Sequence, residues 1–264
     1  MLCRLHLTIG NVLRFILAGA MLYCLLESHS PDDTEFFLIA FFLLYLVYWL
    51  DILLINSTFK ALRNRSSIES LHQKVVEMKL GGNPRIVWNI VCYHYETRTR
   101  LVTERDSQGR TYTTYETYEE RVDTWNASQV FHFDSCIDMS PDTLNVDAHR
   151  YILWTMTKTY DFADDYTRSS YSHQKRVFEE ANKWHDTHYS LEENFNIEGF
   201  KDQMITSLDG TFPRAMSVGV YFMSCIFLLE LVYSAWLNGF ATPQSYKFCK
   251  IFQCHNNNQN MIKV

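Results

Sequence analysis

Residues 36–55, FFLIAFFLLYLVYWLDILLI, constrain this chain more than any other stretch. Nineteen of the twenty are apolar or aromatic, and fifteen are Leu, Ile, Phe or Val. At ~1.5 Å rise per residue, a helix of this length is ~30 Å long, which matches the hydrocarbon core of a bilayer. Each of the fifteen favours insertion by roughly 0.3–0.6 kcal/mol, whereas Asp51, near one end, opposes it by at most ~3 kcal/mol. The balance lies with lipid, so a membrane protein in direct contact with the bilayer is expected.

Two more apolar blocks flank a long polar stretch. Residues 5–26 are long enough to span if Arg14 snorkels to the near interface. Ala18-Gly19-Ala20 also resembles a signal-peptide cleavage site, but the apolar core before it is short and carries Arg14. The third block, about 214–238, contains the apolar run 215–237 with Glu230 as its one charge. The expected architecture is therefore a transmembrane helical hairpin in residues 1–59, with helices at about 5–26 and 36–55. A soluble α+β domain with an antiparallel sheet follows at 60–213, then a third transmembrane helix at 214–238 and a loose polar tail at 239–264.

Charge sets the expected orientation. The link at 27–35 carries four acids and neither Lys nor Arg, whereas Lys60, Arg63, Arg65 and Lys74 follow the second helix and Arg4 and Arg14 flank the first. Short basic flanks stay cytosolic, so the N-terminus and the soluble domain are expected there. The tail conflicts with this order: it holds Lys247, Lys250 and Lys263 without an acid, yet three spans would carry it to the far side. Glu230 is expected near the face opposite Arg14 and Asp51, out of their reach, while Arg14 and Asp51 lie close enough to pair.

A mean hydropathy of −0.18 is too low for a chain that is mostly membrane. Between Lys60 and Phe212, 18 Lys and Arg face 24 Asp and Glu, an acidic balance that argues against a nucleic-acid partner. Of seven cysteines only Cys92 and Cys136 fall in that stretch, which is no disulfide framework; a reduced compartment fits, with a lone Cys92–Cys136 bridge in a lumen as the alternative.

Within the soluble stretch, Ile68, Leu71, Val75 and Met78 predict a helix over 67–80, stopped by Gly81-Gly82-Asn83-Pro84. Residues 85–101 and the Thr/Tyr/Glu-rich run 111–124 predict a long hairpin around a turn at 107–110. Further strands are expected at 128–137 and 150–162, with a loop at 138–149 between them. Helix returns at 164–188, with Asp164 or Asp165 as cap, and a weaker helical region is expected at 192–208, broken near Gly199.

Several of these stretches together resemble the transmembrane protein 151 family. They are Cys92-Tyr93-His94-Tyr95, Gly109 with Tyr112-Thr113-Thr114, Glu120-Arg121-Val122, the run from Lys158 to Ala163, and the run from Gln174 to Glu180. The order of two membrane helices, a soluble stretch and a further membrane segment is also similar, over roughly residues 14–240. A Cys is expected where Thr159 stands, and a more basic stretch at 190–194. The resemblance implies a multi-pass endomembrane or surface protein and supplies no catalytic residue.

No P-loop, GxGxxG, HExxH, GxSxG or CxxC pattern occurs. Cys92 and His94 share a strand face, and with His132 and Cys136 they form a candidate zinc set; ordinary strand packing is the favoured reading. His185 and His188 form a second candidate pair on a helix end, where a solvated terminus is favoured. Arg14, Asp51 and Glu230 are intramembrane charges and so functional candidates, against a purely structural pair. Asn126-Ala127-Ser128 and Asn56-Ser57-Thr58 are glycosylation sequons, the second too close to the bilayer to serve. The reading is a membrane-anchored scaffold or protein-interaction module, self-association included. It has no catalytic, cofactor or metal residues and no small-molecule substrate. The alternatives are a membrane enzyme with a His/Cys metal centre and a channel or transporter subunit.

Overall fold

The computed structural model describes residues 9–27, 34–105, 110–144 and 149–255. Most of the acidic link at 27–35, the turn at 107–109 and the end of the tail lie outside these residues. In chain order the elements begin with α1 (Ile9–Glu27), α2 (Thr34–Leu54), α3 (Ser57–Arg63), β1 (Arg65–Ser67) and α4 (Ile68–Leu80). Next come β2 (Arg85–Arg105), β3 (Thr111–Val130), β4 (Ser135–Asp138), β5 (Tyr151–Phe162) and α5 (Asp165–Asn182). The chain continues through β6 (His188–Asn196), β7 (Gln203–Ser207), α6 (Val218–Ile226), α7 (Glu230–Phe240) and β8 (Thr242–Gln253). The fold is mixed α and β, and it divides into two compact units between which β5 and β8 each continue.

The first unit holds α1–α4, α6, α7, β1 and β7. Among the described residues α2 alone is long and apolar enough by itself to cross a bilayer, with a hydropathy of 2.4. Ile39, Phe42, Leu43 and Leu46 stay exposed on it, whereas Tyr48, Asp51 and Ile52 are buried. Tyr48 and Ile52 join Leu17 and Met21 of α1, Phe59 and Leu62 of α3, and Tyr221, Cys225 and Leu237 in one core. Asn56 starts α3 by accepting a hydrogen bond from Phe59 N at 3.1 Å, which supplies a partner to a free helix donor. β1 runs parallel to β7, and β7 antiparallel to β5.

The block expected as one third span is instead two short helices. Ser217 caps α6, accepting from Val220 N at 3.2 Å. The helix closes when Leu228 turns left-handed, φ 58°, and Leu229 N donates to Ser224 O at 2.7 Å. At ~1.5 Å per residue neither nine nor eleven residues reaches across ~30 Å of hydrocarbon. An all-apolar run carries no Pro or Gly at this break. What distinguishes the site is Glu230 at the first position of α7, turned toward polar partners described below.

The second unit holds the sheet β3-β2-β6, antiparallel throughout, and α5. Trp88, Ile86, Ile90 and Cys92 of β2, Phe131, Phe178 of α5 and Phe252 of β8 make its core. Asp164 caps α5, accepting from Thr167 N at 2.7 Å.

The region 192–208 is not helical. Glu192-Glu193-Asn194 suits a helix by propensity, but Tyr189, Leu191, Glu193 and Phe195 alternate along β6, and pairing with β2 overrides propensity. The helix expected through 188 stops at Asn182, followed by a 3-10 turn at Lys183–His185. The strand expected at 128–137 is the end of β3 plus β4, parted at Phe131. The tail is not loose either: β8 occupies Thr242–Gln253, with Tyr246, Phe248, Lys250 and Phe252 buried at every second residue. Residues Ser135–Asp138 pair with Lys250–Gln253, and Lys250 Nζ lies 2.8 Å from Asp138. If β8 belongs to the core, Phe252→Ala should cost ~3–5 kcal/mol, read as a lowered denaturant midpoint of the full chain; a dispensable tail would leave the midpoint unchanged.

Candidate functional site

The three charges of the apolar blocks meet in the first unit. Arg14 Nε donates to Asp51 at 2.5 Å, and an Arg14 terminal nitrogen stands 4.0 Å from Glu230. The same Glu230 oxygen accepts from Asn56 Nδ2 at 2.8 Å and from Ser234 Oγ at 2.7 Å, and Thr58 Oγ1 lies 2.8 Å from Ser234 Oγ. Arg14, Asp51 and Glu230 are 6 %, 8 % and 1 % exposed. The expectation that Glu230 lies out of reach is thus corrected, because the break between α6 and α7 puts it at a helix start beside Asn56 rather than at the far end of a span. Asn56 is fully engaged, as cap and as donor, and at 1 % exposure is closed to a glycan. Glu230 Oε2 is buried without a hydrogen-bond partner among the described residues.

A buried pair adds little over a well-packed apolar isostere, but stripping one partner exposes the remaining charge to a low dielectric. The cluster therefore works as a lock among α1, α2 and α7. Arg14→Met, which strands two carboxylates, should destabilise the full chain by ~3–5 kcal/mol. The triple change Arg14→Met, Asp51→Leu and Glu230→Gln should recover most of that loss in thermal unfolding in mild detergent; equal losses in both variants would refute the lock.

In the second unit the hairpin carries the exposed features. β2 and β3 pair from Val87↔Val130 to Arg105↔Thr111, but β6 accompanies β2 only from Arg85 to Tyr93. Beyond that point the ribbon is two-stranded. One face carries Thr97, Thr99, Leu101 and Thr103 against Glu119, Thr117, Tyr115 and Thr113; Leu101 is 62 % and Tyr115 75 % exposed. The other carries ion pairs, Arg98 to Glu120 and Arg100 to Glu116, each at 2.7 Å.

At the ribbon's base a bulge opens between Cys92 and Tyr93, leaving Thr124 as the extra residue on β3. The bulge re-aims that side chain: Thr124 Oγ1 donates to Asp186 at 2.6 Å, and Asp186 also holds His94 Nδ1 at 2.7 Å. The hydroxyl of Thr124, then the His94 ring, hold the Asp186 carboxyl well below the usual carboxylate range. Hydrogen bonds to Asp186, then Glu96, raise the pKa of His94. A His raised on folding stabilises the fold fully below its unfolded pKa and loses that contribution as pH rises through the folded value.

A second polar node, dispersed in sequence, surrounds Glu193. Its carboxylate accepts from Lys175 at 2.8 Å, from Trp88 Nε1 at 3.3 Å, and from the hydroxyls of Tyr160 and Tyr171. Burial alone would raise this carboxyl, yet Lys175 and the two tyrosines outweigh it and hold it down to about 2.

The structure separates the zinc set. The Cys92 thiol is buried on Asn182 O, and burial pushes its pKa up, whereas His94 faces Asp186. The His132 backbone pairs with Gln174, and Cys136 lies on β4. The second pair is also split. His185 stacks on Trp125 at 4.0 Å and Trp184 at 4.1 Å, and His188 packs against Tyr93 and Tyr95. Among the described residues no three His, Cys, Asp or Glu side chains come together to hold a metal ion. Asn126 is exposed on β3. The Asp186 and Glu193 nodes carry no local signal, since Asp186 lies 62 and 92 residues from Thr124 and His94, and Glu193 lies 18 to 105 residues from its partners on three other elements. Following the His94 ring protons by NMR through a pH titration should give a pKa above that of a free imidazole, falling in Asp186→Asn; an unchanged midpoint in the variant would contradict the assignment.

The family model described as the TMEM151 family matches residues 9–262. A "Transmembrane protein 151 homolog" of Caenorhabditis briggsae is 26% identical over 186 residues, which is 68% of this chain and 34% of the relative. A protein of the same name from Caenorhabditis elegans is 26% identical over 160 residues, 58% of this chain and 29% of the relative. The chain thus spans about a third of the length of the curated relatives it matches. No solved structure matches. With the match running over nearly the whole described chain, the protein belongs to the TMEM151 family.

Proposed function

We propose that this membrane protein is an anchored scaffold that acts by binding a protein partner, with no catalytic step of its own. The observation that carries the reading is the ribbon of β2 and β3 beyond Tyr95. A two-stranded ribbon is at best marginal in water, and its strand edges invite a further strand. Here one face is closed by ion pairs, and the other presents Thr, Leu and Tyr, with Glu119 at its base, and no cover among the described residues of the second unit. Thr and aromatic pairs of this kind stabilise a sheet when a third strand or a packed surface joins them. The partner is a protein segment, or a second copy of the chain, that lies on the Leu101 and Tyr115 face.

The membrane arrangement in this reading has two crossings, α1 and α2, with α6 and α7 dipping into the near leaflet and returning. Two observations support it. Each of α6 and α7 is too short to cross, while Phe227, Val232 and Phe240 are exposed and apolar. Residues 135–138 are hydrogen-bonded to 250–253, which requires one compartment for both. The basic tail then stays with the basic flank of α2, and the conflict in the charge pattern disappears. The compartment is the cytosol, on an endomembrane or the plasma membrane.

Proximity labelling by the full chain in cells tests the reading. Leu101→Lys with Tyr115→Glu, an opposite-charge cross-strand pair on exposed positions, should abolish recovery of a defined partner while membrane residence and unfolding temperature stay the same. Undiminished recovery by the double variant would overturn it.

A further inference from the structure

Directly after the spanning helix the first unit forms a cleft of about 360 Å³ lined by Lys60, Arg63, Asn64, Phe200, Lys201 and Asp202. From these residues we infer that the cleft binds the phosphomonoester headgroup of an anionic phospholipid. The inference rests on α2 lying in the bilayer but not on the partner-binding role of the hairpin.

Position comes first. Lys60 is six residues beyond Leu54, the end of α2, so its Cα lies at most ~20 Å from the apolar end of that helix. Lys60 and Arg63 are three apart on α3 and share a face. Lys201 and Asp202 come from the segment leading into β7. Asn64 fixes the rim by donating to Gln203 O at 2.9 Å.

Charge comes next. Three cations and one carboxylate leave the lining at +2. Lys60 is held by Asp202 at 3.2 Å, whereas Arg63 and Lys201 are exposed and have neither an ion pair nor a hydrogen bond among the described residues. A phosphomonoester carries about −1.5 to −2 at neutral pH and accepts several charge-assisted hydrogen bonds, for which a guanidinium fork and ammonium groups are suited. The volume falls in the range of small-ligand sites, and Phe200 supplies one apolar wall. Cation clusters on the cytosolic flank of a span favour anionic lipid. A phosphodiester headgroup of the phosphatidylcholine type is neutral and gains none of this.

Native mass spectrometry of the full chain, released from mild detergent after mixing with lipids of one acyl composition, tests the site. Phosphatidic acid and phosphatidylinositol 4-phosphate should remain bound at one copy per chain, and phosphatidylcholine should not. Arg63→Gln with Lys201→Gln should weaken retention about tenfold or more, and Asp202→Asn should strengthen it. Arg168→Gln with Arg176→Gln, in the second unit, should leave it unchanged. Equal retention of phosphatidylcholine, or retention unaffected by the Arg63 and Lys201 pair, would overturn the inference. So would inorganic phosphate displacing the lipid at equal concentration, since the site would then read an ion rather than a headgroup.

Discussion

The apolar surface of α2 that no other described residue of its unit covers is the constraint on which this structure depends. Phe36, Ile39, Phe42, Leu43 and Leu54 are all more than half exposed on one helix. In water such a surface, at ~25 cal/mol per Å², would be a severe penalty; in lipid it costs nothing. Once α2 is in the bilayer, each polar group carried with it must find a partner inside the protein. Asp51 does so through Arg14, and Asn56 through Glu230 and the cap of α3. Burial of these groups then dictates where α1 and α7 sit.

That demand accounts for a break that local sequence does not. The run 215–237 would make an acceptable span by composition, and a helix continuing through it would carry Glu230 far along its axis. Ending α6 at Ile226 and restarting at Glu230 puts the carboxylate within reach of Arg14, Asn56 and Ser234. The left-handed Leu228 is the strained residue of this arrangement, since a branched aliphatic side chain rarely adopts positive φ. The gain is a paired carboxylate that would otherwise be stranded in an apolar environment.

Much of the architecture was legible in local pattern. The length and apolarity of α2, the periodicity of α4, the alternation that makes the long hairpin, and the Asp164 cap each depend on near neighbours only. The failures share a different cause. β6 and β7 are strands because β2 and β5 lie beside them, although Glu192, Glu193 and Asn194 have no preference for extended chain. β8 is hidden in a stretch rich in charged and polar residues, where Tyr246, Phe248 and Phe252, on one parity with Lys250 between the last two, are the available signal. The candidate site was least legible. Arg14 and Asp51 could be paired from topology alone, but Glu230 joined them only once the helix was seen to break. Asp186, Thr124 and His94 meet because of a one-residue bulge that no composition rule foretells.

Placement of the exposed face of α2 in lipid is the central claim, and spin-label accessibility measures it directly. Nitroxides placed singly at Ile39, Phe42, Leu43, Leu46 and Leu50 in the reconstituted full chain should collide freely with molecular oxygen and be shielded from a water-soluble nickel chelate, with shielding deepest near Phe42 and Leu43. Ready collision with the chelate along the whole helix would place it in water and contradict the account.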